Sequence, residues 1–382
     1  MKFLSGKDIV CFSHDWTSDP LSKTHIVRIL SKENRILWVN SLANRTPTIS
    51  KKDLSRILNK VRSFVLERVF EAEQNIFVIN PLALPSYGSK IIREFNQQFL
   101  LWQIKTALKK LNFGKFINLT FNPAAGLIAR KLDESLLIYY CVDEYTAFTG
   151  AAVGLKEIEE ELCKKADLVI VSAAKLLESK RDLNPKTFLI RHGVDWEHFR
   201  SAVDGIADSS LKDLPHPVIG FHGLLADWID FELIQKIAQR FHRGSVVLIG
   251  KATLEVEEKV KQLRHFENIY LLGRKPYSEL PKFCRGFDVA INPFVINELT
   301  LAANPLKVRE YLAAGLQVVS TAIPEVENLR YCLIARTHDE FIRKIEEVLA
   351  NPVSRSEISD SVKNESWTFR VEELDKIISE RR

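Results

Sequence analysis

The stretch NPLKVREYLAAGLQVVST, residues 304–321, decides the fold. Asn304 reads as an N-cap with Pro305 at the first helical position, and Gly315 ends the helix where a left-handed residue is wanted. The β-branched QVVST that follows has strand character, so the run is one loop, helix and strand of an open α/β sheet. Helical spacing sets Lys307 and Glu310 three residues apart on one face and turns Val308, Tyr311 and Leu312 the other way, toward a core. Free backbone N–H groups, the positive end of the helix dipole and an ammonium group together suit a phosphate or diphosphate. Glu310, one turn on, suits the hydroxyls of a sugar diol. The same spacing also fits a surface ion pair worth only roughly a few tenths of a kcal/mol.

On either side the pattern repeats. VIGFHG (218–223), SVVLIG (245–250), NIYLLG (268–273) and DVAINPF (288–294) are apolar runs separated by helical patterns, and YCLIA (331–335) follows QVVST. An earlier series holds IVCFS (9–13), ILWVN (36–40), NIFVIN (75–80), KFINLTF (115–121), LLIYYCV (136–142), DLVIVS (167–172) and TFLIRHGV (187–194). Near-continuous apolar strands alternating with helices predict parallel sheets covered on both faces. The polar run 201–217, with its glycine and prolines, reads as a linker. The expected class is α/β, with two tandem Rossmann-like parallel-sheet domains facing a cleft. These are residues 1–200 and 218–365, with a C-terminal helix over about 366–382 expected to pack back on the first domain. Ligands of such sheets sit beyond the carboxyl ends of the strands.

A chain of 382 residues exceeds one comfortable core, and 46% apolar with 27% charged residues excludes a disordered protein. Cys11, Cys141, Cys163, Cys284 and Cys332 are odd in number and scattered, mostly in apolar runs, which predicts reduced core thiols in a cytoplasmic protein. The opening MKFLSGKDIVCFSHDW has too short an apolar run for a signal peptide, and no run of apolar residues is long enough to predict a spanning helix. The net charge of +5 is uneven. Residues 1–131 carry 21 Lys and Arg against 9 Asp and Glu, net +12, which leaves the rest at net −7. Much of that excess lies over residues 45–68, where Arg45, Lys51, Lys52, Arg56, Lys60, Arg62 and Arg68 alternate with apolar residues at helical spacing. Such a basic amphipathic helix fits an anionic membrane surface or an anionic lipid substrate, or else packs on its own domain with a solvated face. No nucleic-acid-binding motif accompanies the charge.

The strand exits carry the chemistry. Gly223, in the first turn of the second series, lets the backbone approach a ligand, ahead of a helix expected from near Asp227. LIGK ends in Lys251, and LLGRKPY presents Arg274, so two exits of one sheet end in cations suited to a diphosphate. In the first series, LLIYYCV exits into Asp143 and Glu144, and IVCFS into His14 and Asp15. Asp143, His14 or His25 could each serve as a general base toward a hydroxyl, while Asp143 could equally cap the next helix. His192 reads as structural. The chain has no GxGxxG after a strand, no Walker A run, no GxSxG and no zinc spacing, which argues against dinucleotide oxidoreductases, P-loop kinases and hydrolases and predicts no metal or other cofactor.

Four segments of the second series, IGFHGLLADWIDFELI (219–234), LLGRKPYSELPKFCRGFDVAINPF (271–294), NPLKVREYLAAGLQVVST (304–321) and the hinge text GVDWEHF (193–199), resemble the GT-B glycosyltransferases of the group-1 (family 4) type. YYCVDEYTAFTG (139–150) is similar to the first-domain segment of bacterial cell-surface polysaccharide transferases. The resemblance implies transfer of a sugar from a nucleoside diphosphate donor, UDP or GDP, to a hydroxyl of a lipid-linked or polysaccharide acceptor at the inner membrane face. It assigns Glu310 to the ribose hydroxyls and Lys307 to the diphosphate with Arg274 or Lys251 assisting, and it lines the donor side with Gly223 and Leu224. One position departs: the family's first glutamate, eight residues before Glu310, is Ala302 here, so the donor sugar is expected to meet Asn304 or Glu298. Two alternatives stay open, a sugar-nucleotide epimerase or hydrolase on the same fold, and a non-catalytic nucleotide-sugar-binding scaffold.

Overall fold

A computed structural model describes residues 3–42, 69–84 and 87–381. The basic helix expected over 45–68 lies outside the described residues. The chain divides into two compact units, Met1–Arg191 with Arg370–Arg382, and His192–Phe369. Among the described residues no helix is long and apolar enough to cross a membrane.

The first unit is built on one sheet of β1 (Asp8–Phe12), β2 (Arg35–Val39), β3 (Val69–Glu73), β4 (Ile76–Ile79), β5 (Phe116–Thr120), β6 (Leu136–Cys141), β7 (Leu168–Val171) and β8 (Thr187–Leu189), in the order β3-β4-β2-β1-β5-β6-β7-β8. β1 pairs in parallel with both β2 and β5, and the winding reverses between β1 and β5. Among the described strands only β3 runs antiparallel, against β4. It is half-buried at the sheet edge, VFEAE in sequence, so it lacks the continuous apolar run that marks its neighbours. Its turn into β4 uses Asn75 at φ 63°, a left-handed conformation that asparagine tolerates.

The second unit has β9 (Val218–His222), β10 (Ser245–Ile249), β11 (Ile269–Gly273), β12 (Val289–Asn292), β13 (Val318–Thr321) and β14 (Cys332–Ala335), ordered β11-β10-β9-β12-β13-β14 and parallel throughout. The order is doubly wound, with its switch point between β9 and β12. Residues 201–217 are not a linker, because the helix Trp196–Asp204 and Leu211 belong to this unit's core: Phe199, Ala202 and Leu211 are buried in it. Three well-spaced apolar side chains outweigh the polar composition around them. All five cysteines are buried free thiols, pushed far up by desolvation, to about 12 for Cys163 and Cys332.

Candidate functional site

β9 ends in His222, and the chain turns at Gly223, which takes φ 138°. Backbone bonds stitch three strand exits into one floor. Gly223 N–H donates to Ile249 O at 2.8 Å, Leu225 N–H to Lys251 O at 3.0 Å, and Gly250 N–H to Gly273 O at 2.9 Å. Glycine is required at both turns: a Cβ at Gly250 would lie 1.8 Å from Gly223 O, and Gly223 takes a φ that residues with side chains rarely adopt, with a Cβ there 2.7 Å from Lys307 Cε. The expected helix from Asp227 begins instead at Phe231, with the Asp230 carboxylate accepting from Leu233 N–H. Leu225 and Ile229 are held by bridges to Ala252 and Phe294, so this stretch is committed to the floor.

Lys307 stands in the first turn of the Leu306–Ala313 helix, its ammonium 5.2 Å from the ring centre of Phe221 and 4.6 Å from that of Phe294. Burial lowers its pKa to about 8, against the pull of Glu310. Burial likewise raises the Glu310 carboxyl to about 7, with Lys307 opposing and Asp195 adding to the rise. No Lys307–Glu310 salt bridge forms among the described residues; Glu310 instead faces His222 Nε2 at 3.8 Å, an imidazole that burial keeps neutral. A partly desolvated ammonium beside a glycine turn at a sheet switch point can receive an anion, which would restore its full charge.

Asn304 is not the N-cap. Pro305 occupies that place, and the Asn304 side-chain oxygen accepts from Arg309 Nη1 at 2.7 Å. Arg309 is 1% exposed, and its Nε donates to Glu365 at 2.6 Å. A buried guanidinium left short of acceptors is costly, so it claims the amide oxygen from the cap. The Asn304 carbonyl shares a 2.8 Å bond with His192 Nδ1, which gives that histidine a structural place. Lys251, Arg274 and Leu224 are exposed at their exits. Glu298 is exposed in the short Glu298–Leu301 helix, and Ala302 just beyond it is buried. Sequence reasoning missed His222, Phe221 and Phe294; only the register of β9 and β12 beside the helix brings them to Lys307 and Glu310.

In the first unit, Lys23 and Asp143 interact electrostatically. Burial raises the Asp143 carboxyl to about 6, with Lys23 lowering it and Glu144 raising it. Lys23 donates to Tyr145 Oη at 2.9 Å, and Tyr145 donates to Phe121 O at 2.9 Å. Asp143 is not a helix cap: the next turn, Tyr145–Ala147, follows Glu144 and has no side-chain cap. Glu144 lies 3.5 Å from the Lys180 ammonium, which also pairs with buried Glu159 at 3.1 Å. His14 does not fit a base. Burial and Lys23 push its pKa down to about 3, and its ring nitrogens face Ser13 Oγ at 3.1 Å and Thr24 Oγ1 at 3.4 Å, with Trp38 packed against the ring. So weak a base has little pull on a hydroxyl proton at neutral pH. Asp15 accepts from Ser41 N–H at 3.1 Å and so ties two loops together. His25 is half-buried on the Ser22–Leu30 helix.

Residues 216–351 match the family model described as glycosyl transferases group 1. Over 245 residues the chain is 24% identical to the teichuronic acid biosynthesis glycosyltransferase described as TuaH of Bacillus subtilis (strain 168), a match covering 59% of this chain and 62% of that one. Similar solved structures include sucrose-phosphate synthase from Thermosynechococcus elongatus, with TM-score 0.70, 12% identity and 98% of each chain covered. Another is HepE from Anabaena in complex with UDP, with TM-score 0.68, 13% identity, and 98% and 100% covered. At these identities the likeness is one of fold, and the fold is GT-B, two tandem Rossmann-like units.

Proposed function

We propose, from the match of residues 216–351 to the group 1 glycosyl transferases, that this chain is a metal-independent hexosyltransferase. It moves a sugar from a UDP- or GDP-linked donor to a hydroxyl of a lipid-linked or polysaccharide acceptor, in the cytoplasm at the inner membrane face, with no further cofactor. The observation that carries this reading is Lys307, set against Gly223 at the switch-point strand with Glu310 one turn beyond it. UDP in the similar HepE structure and the teichuronic acid relative support the donor and acceptor classes.

When the bond between the anomeric carbon and the diphosphate oxygen breaks, negative charge gathers on the leaving group. Lys307 and the N–H groups opening its helix meet that charge, while Glu310 takes the ribose hydroxyls. Lys251 and Arg274 supply exposed cations from the neighbouring exits. On the acceptor side, Asp143 takes the hydroxyl proton in an inverting transfer; in a retaining transfer the donor phosphate does so and Asp143 orients the acceptor. The test is nucleoside diphosphate release from UDP- and GDP-sugars, with and without a lipid-linked acceptor fraction. Release that requires acceptor supports transfer, equal release without it makes the chain a hydrolase, and conversion of the donor to an epimeric nucleotide sugar without release makes it an epimerase. Binding with no turnover in either arm makes it a scaffold, the reading that buried Ala302 favours.

A further inference from the structure

One buried polar atom at the donor site is left over by this reading. His222 Nε2 has no hydrogen-bond partner, and the side chain is only 5% exposed. The rest of the residue is fixed. Its backbone N–H donates to Tyr311 Oη at 2.7 Å, Tyr311 donates back to the His222 carbonyl at 3.2 Å, and the Tyr311 ring packs edge-on with centroids 4.5 Å apart. On the other side the ring stacks with Phe199 at 6.1 Å. A ring clamped this way leaves Nε2 facing Glu310 Oε2 at 3.8 Å, just beyond hydrogen-bond reach. A buried polar atom left unsatisfied is destabilising, so such an atom in a folded chain asks for an explanation.

We propose that His222 is the positioning residue for Glu310: when a nucleoside diphosphate enters, the carboxylate closes on His222 Nε2–H with one oxygen and presents the other to the ribose hydroxyls. This rests on the donor-site reading above. The imidazole is neutral, because burial and Lys307 hold its pKa near 3, and in the tautomer that serves this role its one proton sits on Nε2. Glu310 is faced by Lys307 and Tyr311 from its own helix, by His222 from β9, by Asp195 ahead of the Trp196–Asp204 helix, and by Cys284 from the Leu280–Arg285 helix. Among these, His222 is the neutral N–H donor placed to steer the carboxylate without changing the net charge.

The experiment is a calorimetric titration of the full chain with UDP, GDP and ADP and with their 2′-deoxy counterparts, from pH 6 to 9. The variants are His222→Gln, whose amide N–H reaches about where Nε2 lies, and His222→Asn, whose amide falls short. The wild type should prefer the ribo form of its ligand and lose that preference as pH falls through about 7, where Glu310 takes up a proton. His222→Asn should cut ribo affinity about tenfold, leave deoxy affinity unchanged and move the pH midpoint upward. His222→Gln should restore both. In a Glu310→Gln background the His222→Asn change should have no further effect. Equal losses of ribo and deoxy affinity, or additive effects in the double variant, overturn the positioning role while the donor site stands. A wild type that binds none of the six ligands overturns the donor site and this role together.

Discussion

Lys307 and Glu310 sit where burial has moved both groups toward neutrality, Lys307 down to about 8 and Glu310 up to about 7. With its pKa lowered to about 8, the Lys307 ammonium is still mostly protonated at neutral pH, and an arriving anion holds its proton more firmly. Lys307→Ala should therefore lower kcat by about 10²-fold or more, as removal of one oxyanion donor does, with nucleoside diphosphate release as the measurement. Unchanged release would remove Lys307 from the chemistry. Asp143 makes a separate prediction. Its pKa of about 6 means that a base role is available above that value and lost below it, so kcat/KM for the acceptor, at saturating donor, should fall as pH drops through about 6. Asp143→Asn should reduce the rate by about 10²-fold or more and abolish that acid limb. A limb that survives in Asp143→Asn assigns it to another group. Lys307 and Glu310 were legible because helical spacing alone puts them on one face. His222 was not, since its role depends on which residue of β9 ends beside which turn of the helix.

At the scale of elements, the strands were readable because parallel strands buried on both faces keep unbroken apolar runs, as LLIYYC does in β6 with all six residues buried. The edge strand β3 was not, because it is half-buried and lacks such a run. Nor was the shift of the cap from Asn304 to Pro305, which depends on a residue distant in sequence, Glu365, through Arg309. Two substitutions probe the elements around the site. Gly223→Ala forces an L residue to φ 138° and sets its Cβ 2.7 Å from Lys307 Cε, so the lysine must move or the turn must open. It should cost about 1–3 kcal/mol in urea unfolding and weaken diphosphate binding more than nucleoside binding. Equal weakening of both ligands would mean that the turn, and not the lysine, is what was disturbed. Arg309→Met removes the buried guanidinium that joins Asn304 to Glu365. Glu365 keeps 25% side-chain exposure and can recover some hydration, so the loss should be about 2–4 kcal/mol, below the upper range for a fully buried pair. A urea midpoint equal to wild type would show that the buried triad adds nothing net.

For the molecule as a whole, the tandem α/β architecture followed from two series of strands, but the boundary did not, since few apolar residues in 196–211 carry that polar stretch into the second core. The last helix, Trp367–Arg381, makes the division testable, because its start belongs to the second unit and its residues from Arg370 to the first. Leu374 and Ile378 are buried, and Asp375 accepts from Leu4 N–H at 2.6 Å. Ending the chain after Phe369 strips these contacts from the first unit. With about 1.5–3 kcal/mol for each buried leucine or isoleucine, the first unit should lose on the order of 5 kcal/mol. Hydrogen exchange should then show protection falling across β1 to β8 while β9 to β14 keep wild-type protection, since local stability follows the cooperative unit that was cut. Calorimetry should show the matching change, with one unfolding transition moved to lower temperature and the other unmoved. Protection lost equally from both sheets would mean that the two units unfold as one, and that the strand order of each does not mark an independent folding unit.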